Sequence, residues 1–244
     1  MCEKPEKKVN SSEEYPEVAA NLTTIVRRIN EAKEKYRSPD EEIRLMAVTK
    51  TVAPEKINFA VSKGVTLLGE NRVQEYLSKK DSYDSSAEVH FIGHLQTNKV
   101  KYIIDSVSMI QSVDSLKLAE EIDRRAGSIG KVMDILIEVN IGEEESKSGI
   151  DSGALKELVS EIRKLENIRL RGLMAIPPIG ADESVFEEMH KLYEELKSMG
   201  TELPNAMIDT LSMGMSGDYE LAIKHGSNLV RIGSALFGAR NYNV

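Results

Sequence analysis

The sequence LMAVTK, residues 45–50, is an apolar run that ends in a lysine. A charged amine at the end of an otherwise buried strand is costly unless it has a partner or a task. If this strand belongs to a parallel barrel, its carboxyl end lies where such folds place their ligand sites, and a partly desolvated amine there can form a Schiff base. Lys50 is therefore the first candidate functional residue. The alternative is a purely structural lysine.

Whether the chain forms such a barrel depends on how often the pattern recurs. Apolar strand-like runs occupy eight segments, at 45–49, 65–68, 89–92, 108–112, 133–139, 169–175, 206–211 and 228–232. Amphipathic helical segments lie between them, at 54–62, 72–79, 97–104, 115–126, 152–165, 183–199 and 218–225. A first helix is predicted over 15–36, where Val18, Leu22, Ile25 and Ile29 recur at helical spacing. Strands and helices thus alternate along the chain.

Strands that are apolar throughout and are separated by helices indicate a parallel sheet covered on both faces. Eight such units in 244 residues predict an α/β fold, a single (β/α)8 TIM barrel with an extra N-terminal helix. An open doubly wound sheet is the alternative, because strand counts from one sequence are uncertain by one or two. No linker-like stretch interrupts the pattern, so we expect a flexible tail over 1–14 and one domain over 15–244.

The composition argues against several classes of function. Lys plus Arg total 32 against 40 Asp plus Glu, and the formal net charge of -8 repels a nucleic-acid backbone. The single cysteine, Cys2, permits no internal disulfide and favours a reducing compartment. Residues 1–14 carry charges instead of an apolar signal core, and no apolar stretch reaches membrane-spanning length. We expect a cytoplasmic protein without nucleic-acid or membrane partners.

The loops after the seventh and eighth predicted strands are rich in glycine and serine, with SMGMS at 212–216 and RIGS at 231–234. Barrels commonly bind phosphate at these two loops, beside a short helix. The groups suited to phosphate are backbone amides and hydroxyls at Ser212, Gly214, Ser216, Gly233 and Ser234. Ordinary turn and N-cap roles are the alternative, since both residue types are favoured there anyway.

The last strand ends in Arg231, whose side chain is charged at any accessible pH. Pyridoxal phosphate (PLP) requires an aldehyde-binding lysine, a phosphate cradle and a partner for its pyridine nitrogen. Lys50, the two loops and Arg231 would supply all three. For Arg231 alone, a structural ion pair is the alternative. Met213 and Met215 would line a ring-binding surface or pack in the core.

Other polar residues at strand ends carry weaker signals. Asn71 would contact an oxygen on the aldehyde side of the cofactor or cap a loop. His94 lies just before a predicted helix, where lining the mouth of the barrel or capping locally competes with a catalytic role. His90 and His225 have no partner at ligand spacing in the sequence, so no metal site is expected.

The motifs together resemble a known family. They are AVTK at 47–50, GENRVQE at 69–75, VHFIGHLQTNK at 89–99, LSMGMS at 211–216 and VRIGS at 230–234. In this order they resemble the signature of the pyridoxal phosphate homeostasis proteins. The match is more specific than any single short motif.

The resemblance implies a barrel like the N-terminal domain of alanine racemase, with PLP held as an internal aldimine. It places the aldimine on Lys50, Arg231 opposite the pyridine nitrogen and Asn71 beside the cofactor. The residues implied for the phosphate cradle are Ser212, Gly233 and Ser234, and Met213 and Gly214 complete the expected cofactor-binding set. Two positions depart from the family pattern: Val89 replaces an aromatic residue, and Ser234 replaces a threonine found in many relatives. Both keep the side-chain role plausible.

A carrier is favoured over an enzyme. An arginine opposite the pyridine nitrogen disfavours protonation of the ring, which weakens the cofactor as an electron sink. The racemases that this barrel resembles take a second acid/base from a separate domain, for which we expect no room here. We therefore predict a PLP carrier in vitamin B6 homeostasis that affects amino-acid metabolism. We expect it to be a monomer, and its expected partners are PLP and PLP-dependent apo-enzymes. The alternative is an amino-acid racemase or a Schiff-base lyase using Lys50.

Overall fold

A computed structural model describes residues 14–142, 148–200 and 205–239. Eight parallel strands pair in chain order, and the last pairs with the first to close a barrel. The strands are β1 Arg44–Val48, β2 Leu67–Glu70, β3 Glu88–Phe91, β4 Met109–Val113, β5 Met133–Val139, β6 Ile168–Ala175, β7 Ala206–Ser212 and β8 Leu229–Ile232. The predicted (β/α)8 barrel is confirmed, and the open sheet is excluded.

Helices cover the outside of the barrel. They are α1 Pro16–Tyr36, α2 Pro54–Ser62, α3 Val73–Lys79, α4 Leu116–Ser128, α5 Leu155–Ile162, α6 Glu183–Gly200, α7 Tyr219–Lys224 and α8 Ser234–Phe237. Short 3-10 helices add Lys80–Ser82, Thr97–Tyr102 and Ser152–Ala154. The extra N-terminal helix, α1, buries its apolar stripe and packs against α7 and α8.

Two connections differ from the prediction. The α-helix expected over 97–104 is a 3-10 helix, Thr97–Tyr102, in which Val100 alone is buried. Val100, Ile103 and Ile104 are buried at helical spacing, but the backbone closes i to i+3 bonds, from the Lys99 N–H to Gln96 and from the Ile103 N–H to Val100. The four-residue helix α8 was not predicted, because one turn is too short to produce a periodic pattern.

The barrel interior is mostly apolar and contains a line of polar side chains. Side chains alternate between the two faces of a strand, so every second residue points inward. One apolar cluster comprises Met46, Val48, Leu67, Ile92 and Leu229, and a smaller one comprises Met109, Leu136 and Met174. The buried polar residues of the strands include His90, Gln111, Ser212 and Arg231.

Part of the predicted tail, residues 1–13, lies outside the described residues, as does the acidic run at 143–145. The division into a tail and one domain therefore stays a prediction. Within the described ranges, no helix is long and apolar enough to cross a membrane.

Candidate functional site

A cavity of about 780 Å3 opens at the carboxyl end of the barrel. Five residues of the expected cofactor-binding set line it together, namely Lys50, Asn71, Arg231, Gly233 and Ser234. A volume of this size is typical of sites for small molecules and cofactors. The strand ends therefore bring an amine, an amide and a guanidinium to one place.

Lys50 lies two residues beyond β1 and is half-buried. Its strand is paired on both sides, Ala47 with Leu68 of β2 and with Ile232 of β8. The loops that follow β2 and β8 are therefore its neighbours. This pairing explains how residues far apart in sequence, Asn71 and Gly233, reach the same cavity as Lys50.

Arg231 is fixed on the inner wall by neutral partners. Its two terminal nitrogens donate to Ser212 Oγ and to the Ala175 carbonyl oxygen, both at 2.7 Å. The residue is only 3% exposed. Burial lowers the pKa of its guanidinium to about 10, against the opposing effect of the Glu138 and Asp218 carboxylates. The side chain therefore keeps its charge at neutral pH, and no carboxylate of the described residues is bonded to it.

A hydrogen-bond chain crosses the barrel interior beneath Arg231. Ser212 Oγ, which accepts from Arg231, donates to Gln111 Oε1 at 2.8 Å. Gln111 Nε2 lies 2.8 Å from His90 Nδ1. Burial, together with the charges of Arg44 and Arg171, lowers the pKa of His90 to about 3, so this histidine is neutral at physiological pH.

Three other members of the expected set, Ser212, Met213 and Gly214, are not among the described residues that line the cavity. β7 extends through Ser212, which places this hydroxyl inside the barrel, where Arg231 and Gln111 occupy it. Met213 packs in the outer hydrophobic core. Gly214 has a φ of 93°, and a Cβ there would lie 2.5 Å from Ala222 Cβ, so it shapes the turn instead.

The part of this loop that does line the cavity is Met215, Ser216, Gly217 and Asp218. Ser216 Oγ accepts the Ala235 N–H at 3.1 Å, which ties the loop to α8. Asp218 Oδ1 accepts the Met215 N–H at 2.6 Å and closes the turn. The sequence signal for Ser216 was its place beyond the strand end, where barrels build their sites.

Asn71 presents an unsatisfied acceptor. Its Oδ1 is buried and has no hydrogen-bond partner among the described residues. The backbone of Asn71 rests on Gly93, where a Cβ would lie 2.1 Å from the Asn71 carbonyl oxygen. Glycine at 93 thus sets how deeply the Asn71 loop sits at the cavity edge.

The histidines lie outside the cavity lining. His94 Nδ1 lies 3.3 Å from Asp114 Oδ2, and its side chain is 61% exposed. His225 Nε2 lies 2.7 Å from Glu183 Oε1, and Lys224 also bonds to this oxygen. Glu187 brings a third ligand-type atom to within 4.8 Å of this exposed group. Glu183 is thus already paired with both Lys224 and His225.

Comparison with known proteins gives concordant family matches. The family model "Alanine racemase, N-terminal domain" matches residues 20–241. A "Pyridoxal phosphate homeostasis protein" of Pasteurella multocida is 40% identical over 233 residues, covering 93% of this chain and 99% of that protein. One from Aquifex aeolicus is 42% identical, covering 91% and 97%. The chain belongs to the pyridoxal phosphate homeostasis protein family.

A solved structure of related sequence carries the cofactor. PipY of Synechococcus elongatus, described with PLP bound, is 29% identical with a TM-score of 0.77, and the match covers 91% of this chain and 100% of that one. The resemblance stated from the motifs is thereby confirmed at the level of family and fold. The individual residue roles remain predictions.

Proposed function

We propose that this member of the pyridoxal phosphate homeostasis family binds PLP reversibly through Lys50 and serves as a carrier in vitamin B6 homeostasis. The observation that carries the proposal is a single cavity lined by Lys50, Arg231 and the 215–218 and 233–234 loops. PipY, of similar fold and related sequence, has PLP bound in its structure. The name of the curated relatives supports the same role.

The chemistry of the lining fits PLP group by group. When bound, PLP supplies an aldehyde that a primary amine attacks with loss of water. Lys50 is the amine in the cavity wall. Ser216, Gly233 and Ser234 lie on the loops where barrels bind phosphate. The unsatisfied Oδ1 of Asn71 accepts a hydrogen bond from a ligand hydroxyl or a bridging water.

Arg231 supports a carrier role over an enzymatic one. Ser212 and the Ala175 carbonyl hold the guanidinium in place, and it stays charged at neutral pH. A fixed positive charge disfavours a second positive charge beside it, so a ring nitrogen next to Arg231 stays unprotonated. This favours holding the cofactor over stabilising a carbanion. The proposal extends to PLP-dependent apo-enzymes as recipients, a monomeric state and a cytoplasmic location.

Titration with PLP followed by visible absorbance tests the proposal. After unbound PLP, which itself absorbs visible light, is removed by gel filtration, we expect saturable absorbance with the native chain and none with Lys50→Ala. Lys101→Ala, which removes an exposed lysine, should leave the signal unchanged. Pyridoxal, which lacks the phosphate, should bind more weakly. Uptake that survives Lys50→Ala would contradict the proposal. Exchange of an amino-acid α-proton into deuterated water by the loaded protein would support the racemase alternative.

A further inference from the structure

Lys50 and Thr51 form the centre of a tight turn. The Val52 N–H donates to the Thr49 carbonyl oxygen at 3.0 Å and closes the turn. Thr51 has a φ of 64°, and it is the only non-glycine residue with positive φ in the described ranges. Positive φ at the third position of a turn favours glycine, and a β-branched residue there is strained. The turn that presents Lys50 therefore requires support from its surroundings.

Two side chains of α3 hold this turn at both ends. Glu75 Oε1 accepts the Thr51 N–H at 2.5 Å and a hydrogen bond from Lys79 Nζ, also at 2.5 Å. Lys79 Nζ in turn donates to the Thr49 carbonyl oxygen at 3.3 Å. The side chains of Glu75 and Lys79 are only 17% and 13% exposed, so water competes weakly for the bond between them.

The hydrogen bonds to Glu75 favour its charged form. Burial alone would raise the pKa of its carboxyl, but the bonds from Lys79 and the Thr51 amide bring the pKa below its ordinary value. A hydrogen bond from a backbone amide to a charged acceptor is stronger than one between neutral groups. Glu75 is therefore suited to stabilise the left-handed backbone at Thr51.

The same helix also fixes the other side of the cavity. α3 begins at Val73, two residues after Asn71, so its position sets the Asn71 loop. A further bond, from Thr49 Oγ1 to Glu70 Oε1 at 2.5 Å, joins the end of β1 to the end of β2. Contacts from α3 and β2 thus fix the spacing between Lys50 and Asn71.

We infer that Glu75 is a positioning residue, which holds the Lys50–Thr51 turn in the conformation that presents the Lys50 amine to PLP. The inference rests on the proposed function. Glu75 acts through the Thr51 backbone and the Lys79 side chain, without itself lining the cavity.

Substitutions at both ends of the contact test this role. Glu75→Ala should weaken PLP binding by about tenfold, the size of one charge-assisted hydrogen bond. Glu75→Gln keeps an oxygen acceptor without the charge, so its affinity for PLP should lie between those of the native chain and Glu75→Ala. Adding Thr51→Gly to Glu75→Ala should recover most of the loss, because glycine adopts positive φ without steric cost.

The opposite end of the barrel offers a matched control. Glu41 accepts from the Arg37 side chain at 2.5 Å and from the Ser38 N–H at 3.3 Å. Glu41→Ala removes the same kinds of bond, and PLP affinity should stay unchanged. Hydrogen exchange at the Thr51 amide, measured without PLP, should speed up in Glu75→Ala and stay at the native rate in Glu41→Ala.

The possible results distinguish the proposed PLP-binding function from the positioning role of Glu75. A native chain that takes up no PLP overturns the proposed function, and with it the cofactor role of Glu75. If the native chain binds PLP but Glu75→Ala binds it equally well, the positioning role alone is overturned. An equal loss of affinity in Glu41→Ala, or no recovery on adding Thr51→Gly, also overturns it, because the loss would then not arise from strain at Thr51.

Discussion

The two ends of the barrel each hold a cavity with a partly or fully buried arginine, but the arginines have opposite kinds of partner. At the amino end, a cavity of about 840 Å3 contains Arg171 and Asp209. Arg171 bonds to the carboxylates of Asp209 and Asp134, at 2.9 Å from its Nε and 2.5 Å from one terminal nitrogen. At the carboxyl end, Arg231 bonds to a hydroxyl and a carbonyl oxygen.

This difference in partners indicates that Arg171 stabilises the fold, whereas Arg231 is suited to bind a ligand. The charge of Arg171 is neutralised by its own protein, so little attraction remains for an anion. Arg231 is hydrogen-bonded to neutral groups, and the Glu138 and Asp218 carboxylates act on it without bonding to it. More of its charge therefore remains to attract an anion that enters the cavity. The volumes of the two cavities, about 780 and 840 Å3, do not distinguish the two ends.

The largest expected effect comes from breaking the amino-end pairs. Arg171→Ala leaves Asp134 and Asp209 partly buried with an arginine partner removed, which should lower the free energy of unfolding by about 3 kcal/mol. PLP affinity should stay within about twofold of the native value, because the amino end does not touch the ligand. Urea unfolding and PLP titration measure the two quantities.

The exposed pair between Arg124 and Glu121 is the control. Arg124 has a 59% exposed side chain, and Arg124→Ala should cost less than about 1 kcal/mol. If Arg171→Ala were as mild as Arg124→Ala, the amino-end pairs would not be structural and the comparison would fail.

An intermediate effect is expected from His90, which is joined to Arg231 through Gln111 and Ser212. Its pKa in the folded chain is about 3, below the unfolded value of about 6.5. The unfolded chain therefore binds one more proton between these values, and stability that is fully present above pH 6.5 is lost as the pH falls towards 3. The expected slope is about 1.4 kcal/mol per pH unit.

Comparing the native chain with His90→Gln isolates this contribution from the carboxyl groups that titrate in the same range. Between pH 6.5 and 4.5 the variant should lose less stability on acidification than the native chain. Parallel curves of unfolding free energy against pH would show that His90 is not held neutral.

At Arg231 the expected effect on stability is smaller than at Arg171 or His90. Arg231→Gln removes a buried charge with neutral partners, so the free energy of unfolding without ligand should change by only about 1 kcal/mol. The absorbance of bound PLP should nevertheless shift, because the ring nitrogen would no longer face a fixed positive charge. An unchanged spectrum would show that Arg231 does not contact the cofactor, and the proposed difference in role between Arg231 and Arg171 would then be wrong.

The sequence allowed the barrel to be predicted, because apolar runs and amphipathic helices alternate regularly. α2 was predicted to the residue, since Pro54 opens it and its apolar spacing is helical. β2 was predicted two residues early, at 65–68. Val65 is buried and apolar like the residues of the strand, so composition did not show where strand pairing begins.

The cavity was predictable only in part. Lys50 and Arg231 stood out as charges at the ends of apolar strands. The sequence did not show that Ser216 lines the cavity while Ser212 does not. Both faces of a barrel strand are buried, so the apolar pattern does not reveal that Ser212 points inward, and Ser216 lies in the loop beyond that strand. The contact between Glu75 and Thr51 left no local signal, since it depends on a conformation that threonine rarely adopts and on a helix 24 residues away.

Mapping the attachment site tests the central claim most directly. The native chain is incubated with PLP, reduced with borohydride to make the lysine–cofactor bond permanent, digested, and its peptides are weighed by mass spectrometry. The account predicts a pyridoxyl phosphate adduct on the peptide that contains Lys50, and its loss in Lys50→Ala. An adduct confined to other lysines, or no adduct, would contradict it.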